Sequence, residues 1–201
     1  MANSLRKNQK NDTDQFVKGT LSGYIHDLLI VILVVLILFL LIFRVVVVSG
    51  PSMNNTLYHN DFLILLNNIF YKDPQYGDII VASKESFDDG KPFIKRVIAV
   101  AGQEVDIDFD AGIVYVDGKA LDEPYTLTPT TLREGMDFPL VVEENCVFVM
   151  GDNRGRSKDS RSLEIGLVDK RQILGKAIFL VFPGKDPVLD TRDFSRIGGV
   201  N

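Results

Sequence analysis

The sequence contains few of the residue types on which many folds and sites depend: one cysteine, two histidines and no tryptophan in 201 residues. A single cysteine, Cys146, excludes an intrachain disulfide and a zinc site built from several cysteines. The two histidines, His26 and His59, are too few for a histidine-rich metal centre. The sequence therefore predicts neither a metal ion nor a cofactor.

Positive charge is also scarce. The chain has 22 Lys and Arg against 27 Asp and Glu, which gives a net charge of −5. Proteins that bind nucleic acids without specificity are usually basic, so nucleic acid is not an expected partner. The length suits one globular domain, alone or with an anchor, and is too short for two large domains.

The apolar residues, in contrast, are concentrated in one segment near the N-terminus. Residues Leu28–Phe43 form an unbroken apolar run, which Val45–Val48 continues after Arg44. A helix that spans a bilayer needs about 20 such residues, and a soluble core helix would carry a polar face. A cleaved signal peptide has a shorter apolar region, of roughly 7–15 residues. We therefore interpret residues 25–48 as an uncleaved transmembrane anchor that contacts the lipid bilayer.

Basic residues flank this anchor mainly on its N-terminal side. Four of them precede it: Arg6, Lys7, Lys10 and Lys18. Lys and Arg accumulate on the cytoplasmic side of membrane spans. We therefore expect a single-pass protein of the cell membrane, with residues 1–24 as a cytoplasmic tail and residues 49–201 outside the cytoplasm.

The chain after the anchor is typical of short strands separated by turns. Apolar runs such as Phe62–Leu66 and Phe93–Val100 have the length of strands, and residues 104–110 alternate between acidic and apolar side chains. Gly and Pro occur throughout, and no amphipathic segment of helix length is present. The sequence predicts a mainly β, antiparallel domain over residues 49–201, with a smaller β insertion at residues 106–145.

Three segments have compositions that are unusual for their setting. In Ser49–Met53, Gly and Pro would form a sharp turn that presents Ser52. Lys95 interrupts an apolar strand, where burial would lower its pKa and leave a neutral amine that can act as a general base. Gly151–Arg161 is dense in charges and hydroxyls. Taken singly, they are more simply explained as a polar linker, a solvent-facing lysine of an edge strand and a solvated loop.

Taken together, the segments resemble the bacterial type I signal peptidases, which are membrane-bound serine/lysine leader peptidases. Four matching boxes occur in the family's order: Gly50–Met53, Gly77–Val81, Lys95–Val97 and Gly151–Arg161. The last box, GDNRGRSKDSR, is highly specific, and the single anchor and small size resemble the Gram-positive form. The resemblance covers residues 25–185. It implies a signal-peptidase-type antiparallel β domain preceded by one transmembrane helix.

Two side chains carry the chemistry that the resemblance implies, Ser52 as nucleophile and Lys95 as general base. A serine hydroxyl is a weak nucleophile until a base removes its proton, and Ser–Lys pairs are known variants of the catalytic triad. The resemblance also implies that the Ser157 hydroxyl is hydrogen-bonded to the Lys95 amine. The backbone N–H of Ser52 is the expected oxyanion donor, since Gly50 offers no side-chain donor.

Four further residues are implied to support this pair. Asp159 and Arg161 are expected to hold the loop of the last box by ion pairing with Arg96. Asp152 matches another supporting acid of the family. We interpret all four as supports of the site that do not contact the substrate.

The implied substrate is the signal peptide of an exported preprotein, cut after a small-x-small motif, with a functional contact to the secretion machinery. Such peptides can lie extended beside exposed strands, where backbone pairing gives affinity and pockets give specificity. The implied substrate-binding residues are Val48, Gly50, Met53, Leu57, Phe93 and Ile94. Among them, Met53, Leu57 and Ile94 are expected to line shallow apolar pockets.

The sequence departs from the family's pattern at three places. Asn55 stands where the family usually has proline, and Arg156 stands where it often has asparagine. The segment Val100–Gln103 replaces the common L-P-G-D. None of these departures removes a catalytic side chain.

Three other functions are alternatives. A self-cleaving repressor has a related Ser/Lys dyad but carries a DNA-binding module in place of an anchor. A catalytically inactive pilus-assembly relative that acts as a chaperone would be expected to lack the serine or the lysine. A membrane-anchored β adapter would need neither side chain.

Overall fold

The structure, a computed structural model, describes residues 23–200. The described chain divides between Leu41 and Ile42 into a helical unit and a β unit. The tail predicted for residues 1–24 lies outside the described residues except for its last two.

The one α-helix within residues 23–200, α1, occupies Gly23–Ile42. Its 20 residues are apolar enough to cross a membrane, and their side chains are exposed as far as Leu41. A helix of this length is about 30 Å long, close to the thickness of the hydrocarbon core of a bilayer. The helix ends earlier than the anchor predicted at residues 25–48, because Phe43–Val47 forms strand β1. The valines after Arg44 are β-branched and pair well in a sheet, which an apolar run alone does not reveal.

The β unit contains twelve strands in its described part, all of them paired antiparallel. They are β1 Phe43–Val47, β2 Phe62–Asn67, β3 Ile79–Ala82, β4 Phe93–Val100, β5 Glu104–Asp108, β6 Ile113–Val116, β7 Lys119–Ala120, β8 Leu140–Val141, β9 Cys146–Met150, β10 Val168–Asp169, β11 Ile173–Phe182 and β12 Gly198–Gly199. Four short 3₁₀ turns lie at Asp88–Gly90, Arg154–Arg156, Lys170–Gln172 and Phe194–Arg196. The prediction of a mainly antiparallel β fold behind one helix is confirmed.

The larger sheet has the strand order β1-β2-β11-β3-β4-β9-β10, with β12 paired to β11. Strand β4 therefore lies in the interior of this sheet, hydrogen-bonded to β3 on one side and β9 on the other. Six of its eight residues are buried, including Lys95 and Arg96. A central strand of this kind cannot present Lys95 to solvent as an edge strand would.

The smaller sheet has the strand order β7-β6-β5-β8. It extends from Glu104 to Val141, whereas the sequence predicts an insertion at residues 106–145. In β5, buried Val105 and Ile107 alternate with exposed acidic residues, as the sequence pattern indicates. These side chains share one core cluster with residues of β4 and β9. The smaller sheet is thus packed against the two strands that lead to the candidate site.

Candidate active site

Ser52 lies between β1 and β2 in a loop that we call the Ser52 loop (residues 48–61). The loop is closed at its base by a hydrogen bond of 2.9 Å from the Val48 N–H to the Asp61 carbonyl oxygen. Gly50 has φ +87°, a left-handed conformation that glycine adopts without strain. A compact loop with tied ends fixes the place at which Ser52 is presented.

Lys95 brings its amine to Ser52 from the central strand β4. Its Nζ atom lies 2.9 Å from Oγ of Ser52 and 3.0 Å from the carbonyl oxygen of Ile94. The side chain is only 4% exposed. Burial lowers the pKa of Lys95 to about 8, although the carboxylates of Asp159 and Glu134 act in the opposite direction. A buried amine of this kind can exchange a proton with the adjacent hydroxyl near neutral pH.

Asn153 holds the backbone on both sides of the Ser52 peptide group. Its backbone N–H donates to the Ser52 carbonyl oxygen at 3.0 Å, and its side-chain Nδ2 donates to the Pro51 carbonyl oxygen at 3.1 Å. Sequence reasoning noted Asn153 as part of the GDNR box but gave it no role. The signal that could have indicated a role for Asn153 was its position directly after Asp152 in the most specific sequence box.

Gly151 makes this close approach possible because it has no side chain. A Cβ atom at this position would lie 2.2 Å from Oγ of Ser157 and 2.5 Å from the carbonyl oxygen of Ser52. Contacts of this length are not compatible with any side chain. Glycine is therefore required where β9 meets the Ser52 loop.

Arg96 forms a buried ion pair with Asp152. Its Nε and Nη2 atoms donate to the two carboxylate oxygens at 2.9 and 2.8 Å, and the two side chains are 2% and 1% exposed. Thr56 of the Ser52 loop donates its hydroxyl to the same carboxylate. The expected pairing of Arg96 with Asp159 and Arg161 is wrong, because Nε and Nη2 donate to Asp152 and Nη1 donates to the carbonyl oxygen of Gly77.

Asp159 and Arg161 instead pair with each other. The Nε and Nη2 atoms of Arg161 donate to the two carboxylate oxygens of Asp159 at 2.8 and 2.9 Å, and both side chains are fully buried. Asp159 also accepts the Gly151 N–H at 3.0 Å. Arg161 donates further to the carbonyl oxygens of Arg154 and Ser157. A bidentate pair with its remaining groups hydrogen-bonded holds the last box in one conformation.

Ser157 does not form the hydrogen bond expected from the resemblance. The Lys95 amine bonds Ser52 and Ile94, whereas Oγ of Ser157 is buried and has no hydrogen-bond partner among the described residues. This hydroxyl lies against Gly151, next to the Ser52 loop. The structure thus places Ser157 beside the site without a bond to the amine.

A cleft of about 290 Å³ opens beside Ser52 and Lys95. Its walls are formed mainly by two segments, residues 49–52 and residues 91–95. Three of the expected substrate-binding residues line it: Gly50, Phe93 and Ile94. An extended peptide placed in this cleft would have its backbone next to the Ser52 hydroxyl.

The other three expected substrate-binding residues do not line the cleft. Val48, Met53 and Leu57 are at most 2% exposed and belong to the main core cluster of the larger sheet. Their apolar side chains pack beneath the Ser52 loop, where burial is more favourable than contact with the cleft. Sequence position alone could not distinguish a residue that lines a pocket from one that fills the space below it.

Two residues between β7 and β8, Glu123 and Tyr125, contact the arginines that support the candidate site. Arg154 is bound by both carboxylate oxygens of Glu123, at 2.9 and 2.6 Å, and the ring of Tyr125 stacks 4.0 Å from Cζ of Arg96. Neither Glu123 nor Tyr125 was identified from the sequence, since each is an ordinary residue of a polar loop. Their contacts tie the smaller sheet to the supporting ion pairs.

His59 is exposed, and its Nδ1 atom accepts the Gly50 N–H at 3.3 Å. The side-chain nitrogen next to the Ser52 hydroxyl is instead that of the Lys95 amine. This agrees with the interpretation of His59 as a surface residue.

Comparison with known proteins identifies the family. The family model for signal peptidase, peptidase S26, matches residues 21–182. The probable signal peptidase I-1 of Synechocystis sp. is 40% identical over 144 residues, which are 68% of this chain and 69% of that protein. Signal peptidase I of Bacillus licheniformis is 30% identical over 191 residues, 91% of this chain and 96% of that protein. A solved structure of signal peptidase I from Enterococcus faecalis V583 is 31% identical, with a TM-score of 0.43, and covers 52% of this chain and 97% of that one.

The chain belongs to the peptidase S26 family of signal peptidases, because the family model covers most of its length. It is a serine peptidase of the signal peptidase I type. The resemblance inferred from the four sequence boxes is confirmed, and an enzyme is favoured over the repressor, chaperone and adapter alternatives.

Proposed function

We propose that this chain is a membrane-anchored endopeptidase that removes signal peptides from exported preproteins with a Ser52/Lys95 dyad. The observation that carries the proposal is the 2.9 Å separation between the buried Lys95 amine and the Ser52 hydroxyl. A serine hydroxyl needs an adjacent base, and a desolvated lysine supplies one.

The first step is the attack of Ser52 on the scissile carbonyl. The neutral Lys95 amine accepts the Ser52 proton while Oγ bonds to the carbonyl carbon. The resulting ammonium then gives its proton to the amine of the leaving chain, which is the new N-terminus of the mature protein. Water hydrolyses the ester that remains on Ser52, with Lys95 again as the base.

The oxyanion of each tetrahedral intermediate is assigned to the backbone N–H of Ser52. Among the residues that the structure describes, this N–H has no hydrogen-bond acceptor. The Ser52 carbonyl group, in contrast, is fixed by Asn153, which holds the peptide chain in orientation. A preorganised, unoccupied donor beside the nucleophile is the arrangement that oxyanion stabilisation requires.

Selection for small side chains is supported by the packing of the Ser52 loop, whose residues 49–52 form one wall of the cleft. Met53 and Leu57 fill the space under the Ser52 loop and are each 1% exposed. A large substrate side chain directed at this surface would have to displace core atoms. We propose that the enzyme therefore cuts after small residues at the first and third positions before the scissile bond.

Replacing alanine by leucine at the first position before the cut should lower kcat/KM by roughly 100-fold, since adding methylenes to a filled core is strongly unfavourable. The measurement compares synthetic preprotein peptides with the full-length enzyme in detergent. Leucine at the second position serves as the matched control, because alternate side chains of an extended peptide point in opposite directions. Equal cleavage of both leucine peptides would contradict the proposed specificity.

The helix α1 is proposed to anchor the enzyme in the cell membrane, with the β unit on the outer side. The length and apolar character of Gly23–Ile42 support a span, and the basic residues before it support a cytoplasmic N-terminus. Anchoring would confine enzyme and substrate to one surface and raise their effective concentration. There the enzyme would meet preproteins as the secretion machinery delivers them.

Protease added to intact spheroplasts should digest the β unit and leave residues 1–24 protected. Immunoblotting with tags at either end of the full-length chain distinguishes the two sides, and lysed cells serve as the control for access. Digestion of the N-terminal tag alone in intact spheroplasts would show that the orientation is inverted.

A further inference from the structure

The last part of the chain lies beyond the family-model match, which ends at residue 182. We call residues 183–200 the C-terminal strap. Its strand β12 pairs with β11, where Gly199 lies opposite Phe179. Val200 is 8% exposed and belongs to the same core cluster as Met53 and Leu57 of the Ser52 loop. The strap is therefore packed against the element that carries the nucleophile.

One side chain of the strap, Arg196, is directed at the base of the Ser52 loop. Its Nη2 and Nη1 atoms donate to the carboxylate oxygens of Asp61 at 2.7 and 3.2 Å. Nη2 also donates to the backbone carbonyl oxygen of Thr56 at 2.9 Å, and Cζ lies 4.2 Å from the ring of Tyr58. Arg196 thus contacts three residues of the loop through one planar guanidinium group.

The carboxylate that Arg196 neutralises is fully buried. Asp61 is 0% exposed and also accepts the backbone N–H groups of Gly184, at 2.6 Å, and Tyr58, at 2.8 Å. An ionised carboxylate in such a place is strongly unfavourable without a cationic partner. Arg196 is that partner, and Asp61 also closes the loop through its carbonyl oxygen, which accepts the Val48 N–H.

Thr56 connects this contact to the catalytic cluster. Its carbonyl oxygen is held by Arg196, whereas its hydroxyl donates to Asp152, the partner of Arg96. Arg96 is the neighbour of Lys95 on β4. The Ser52 loop is consequently fixed to the strand of the base on one side and to the strap on the other.

We propose that Arg196 is a positioning residue of the enzyme, which sets the place of the Ser52 hydroxyl relative to the Lys95 amine by holding the Ser52 loop at Asp61 and Thr56. The inference rests on the proposed Ser52/Lys95 mechanism. The planar guanidinium contacts both carboxylate oxygens and the carbonyl oxygen at once, whereas an ammonium is a compact point charge, so lysine should replace Arg196 only in part.

The test compares three variants of the full-length enzyme on one preprotein substrate: Arg196→Ala, Arg196→Lys and Arg192→Ala. Arg192 is the matched control, because it lies on the same strap but contacts Phe182 and Pro183 outside the Ser52 loop. Arg196→Ala should lower kcat by about 10- to 100-fold, the usual effect of a misplaced reacting group. KM should stay within about threefold, because the cleft wall formed by residues 91–95 lies outside the Ser52 loop.

Two further readings separate positioning from stability alone. The midpoint of the pH–kcat profile should stay near that of the wild type in all variants, because Arg196 does not contact Lys95. The kcat per folded molecule, which is the rate divided by the folded fraction from thermal unfolding, should be intermediate in Arg196→Lys between wild type and Arg196→Ala. If the alanine variant does not fold, Arg196→Lys is compared with wild type instead.

The inference is overturned if kcat per folded molecule in both Arg196 variants is within about twofold of that in Arg192→Ala. A roughly twofold difference is much smaller than the loss expected when a reacting group is misplaced. It is also overturned if KM rises and kcat does not change, which would indicate a role in binding. A wild-type enzyme that does not cleave the preprotein would contradict the proposed function itself, and this inference with it.

Discussion

Replacing Ser52 with alanine should abolish cleavage of a preprotein, with a loss in kcat of about 10⁴-fold or more. The alanine variant lacks the oxygen that bonds to the substrate, and none of the neighbouring groups can substitute for it. The fold should persist, because the hydrogen bond from the Asn153 N–H to the Ser52 carbonyl oxygen remains and only the hydroxyl contact with the Lys95 amine is lost. Cleavage of a synthetic preprotein by the full-length protein in detergent, together with its thermal unfolding midpoint, measures both effects.

Ser86→Ala is the matched control for this experiment. Ser86 is exposed, does not line the cleft, and donates its hydroxyl to the carbonyl oxygen of Glu164. Its variant should cleave at the wild-type rate. More than a trace of activity in Ser52→Ala, with both proteins folded, would remove Ser52 from the role of nucleophile.

The arginine variant of Lys95 should be as inactive as the alanine variant. A guanidinium stays protonated at any working pH, so it keeps the positive charge but cannot accept the Ser52 proton. The same reasoning fixes the pH dependence of the wild type. Since burial lowers the pKa of Lys95 to about 8, kcat/KM should rise with pH up to about that value and then level off.

The measurement is kcat/KM for wild type, Lys95→Arg and Lys95→Ala across pH 6–10, with Lys119→Arg as the control at an exposed lysine. If Lys95 were only a structural cation, arginine would largely preserve the rate. An active Lys95→Arg variant, or a wild-type profile with no ascending limb, would therefore overturn the proposed mechanism.

The sequence was sufficient to propose Ser52 and Lys95 for the candidate site because they lie in short, ordered boxes. A lysine inside an apolar strand and a serine after Gly-Pro are local signals, and the structure places Lys95 and Ser52 in contact. The ion pairs were harder to predict, because opposite charges in one loop can pair in several ways. The choice of Asp152 for Arg96 depends on the packing of β4 against β9.

The places where the structure differs from expectation share one cause, which is that burial is a property of the folded chain. Val45–Val47 is apolar enough to extend the helix but pairs with β2 instead. Met53 and Leu57 have the residue types of a binding pocket but fill the core below it. Arg196 lies in a polar stretch without any motif, and its role depends on a contact with Asp61 that no local pattern indicates.

The close approach at Gly151 also limits which mutations this position can accept. Every single-nucleotide change in a glycine codon that alters the amino acid introduces a Cβ atom, and a Cβ there would lie 2.5 Å from the Ser52 carbonyl oxygen. No missense change at this position is therefore expected to be neutral. A single missense change at this buried position would disturb the backbone that carries Ser52.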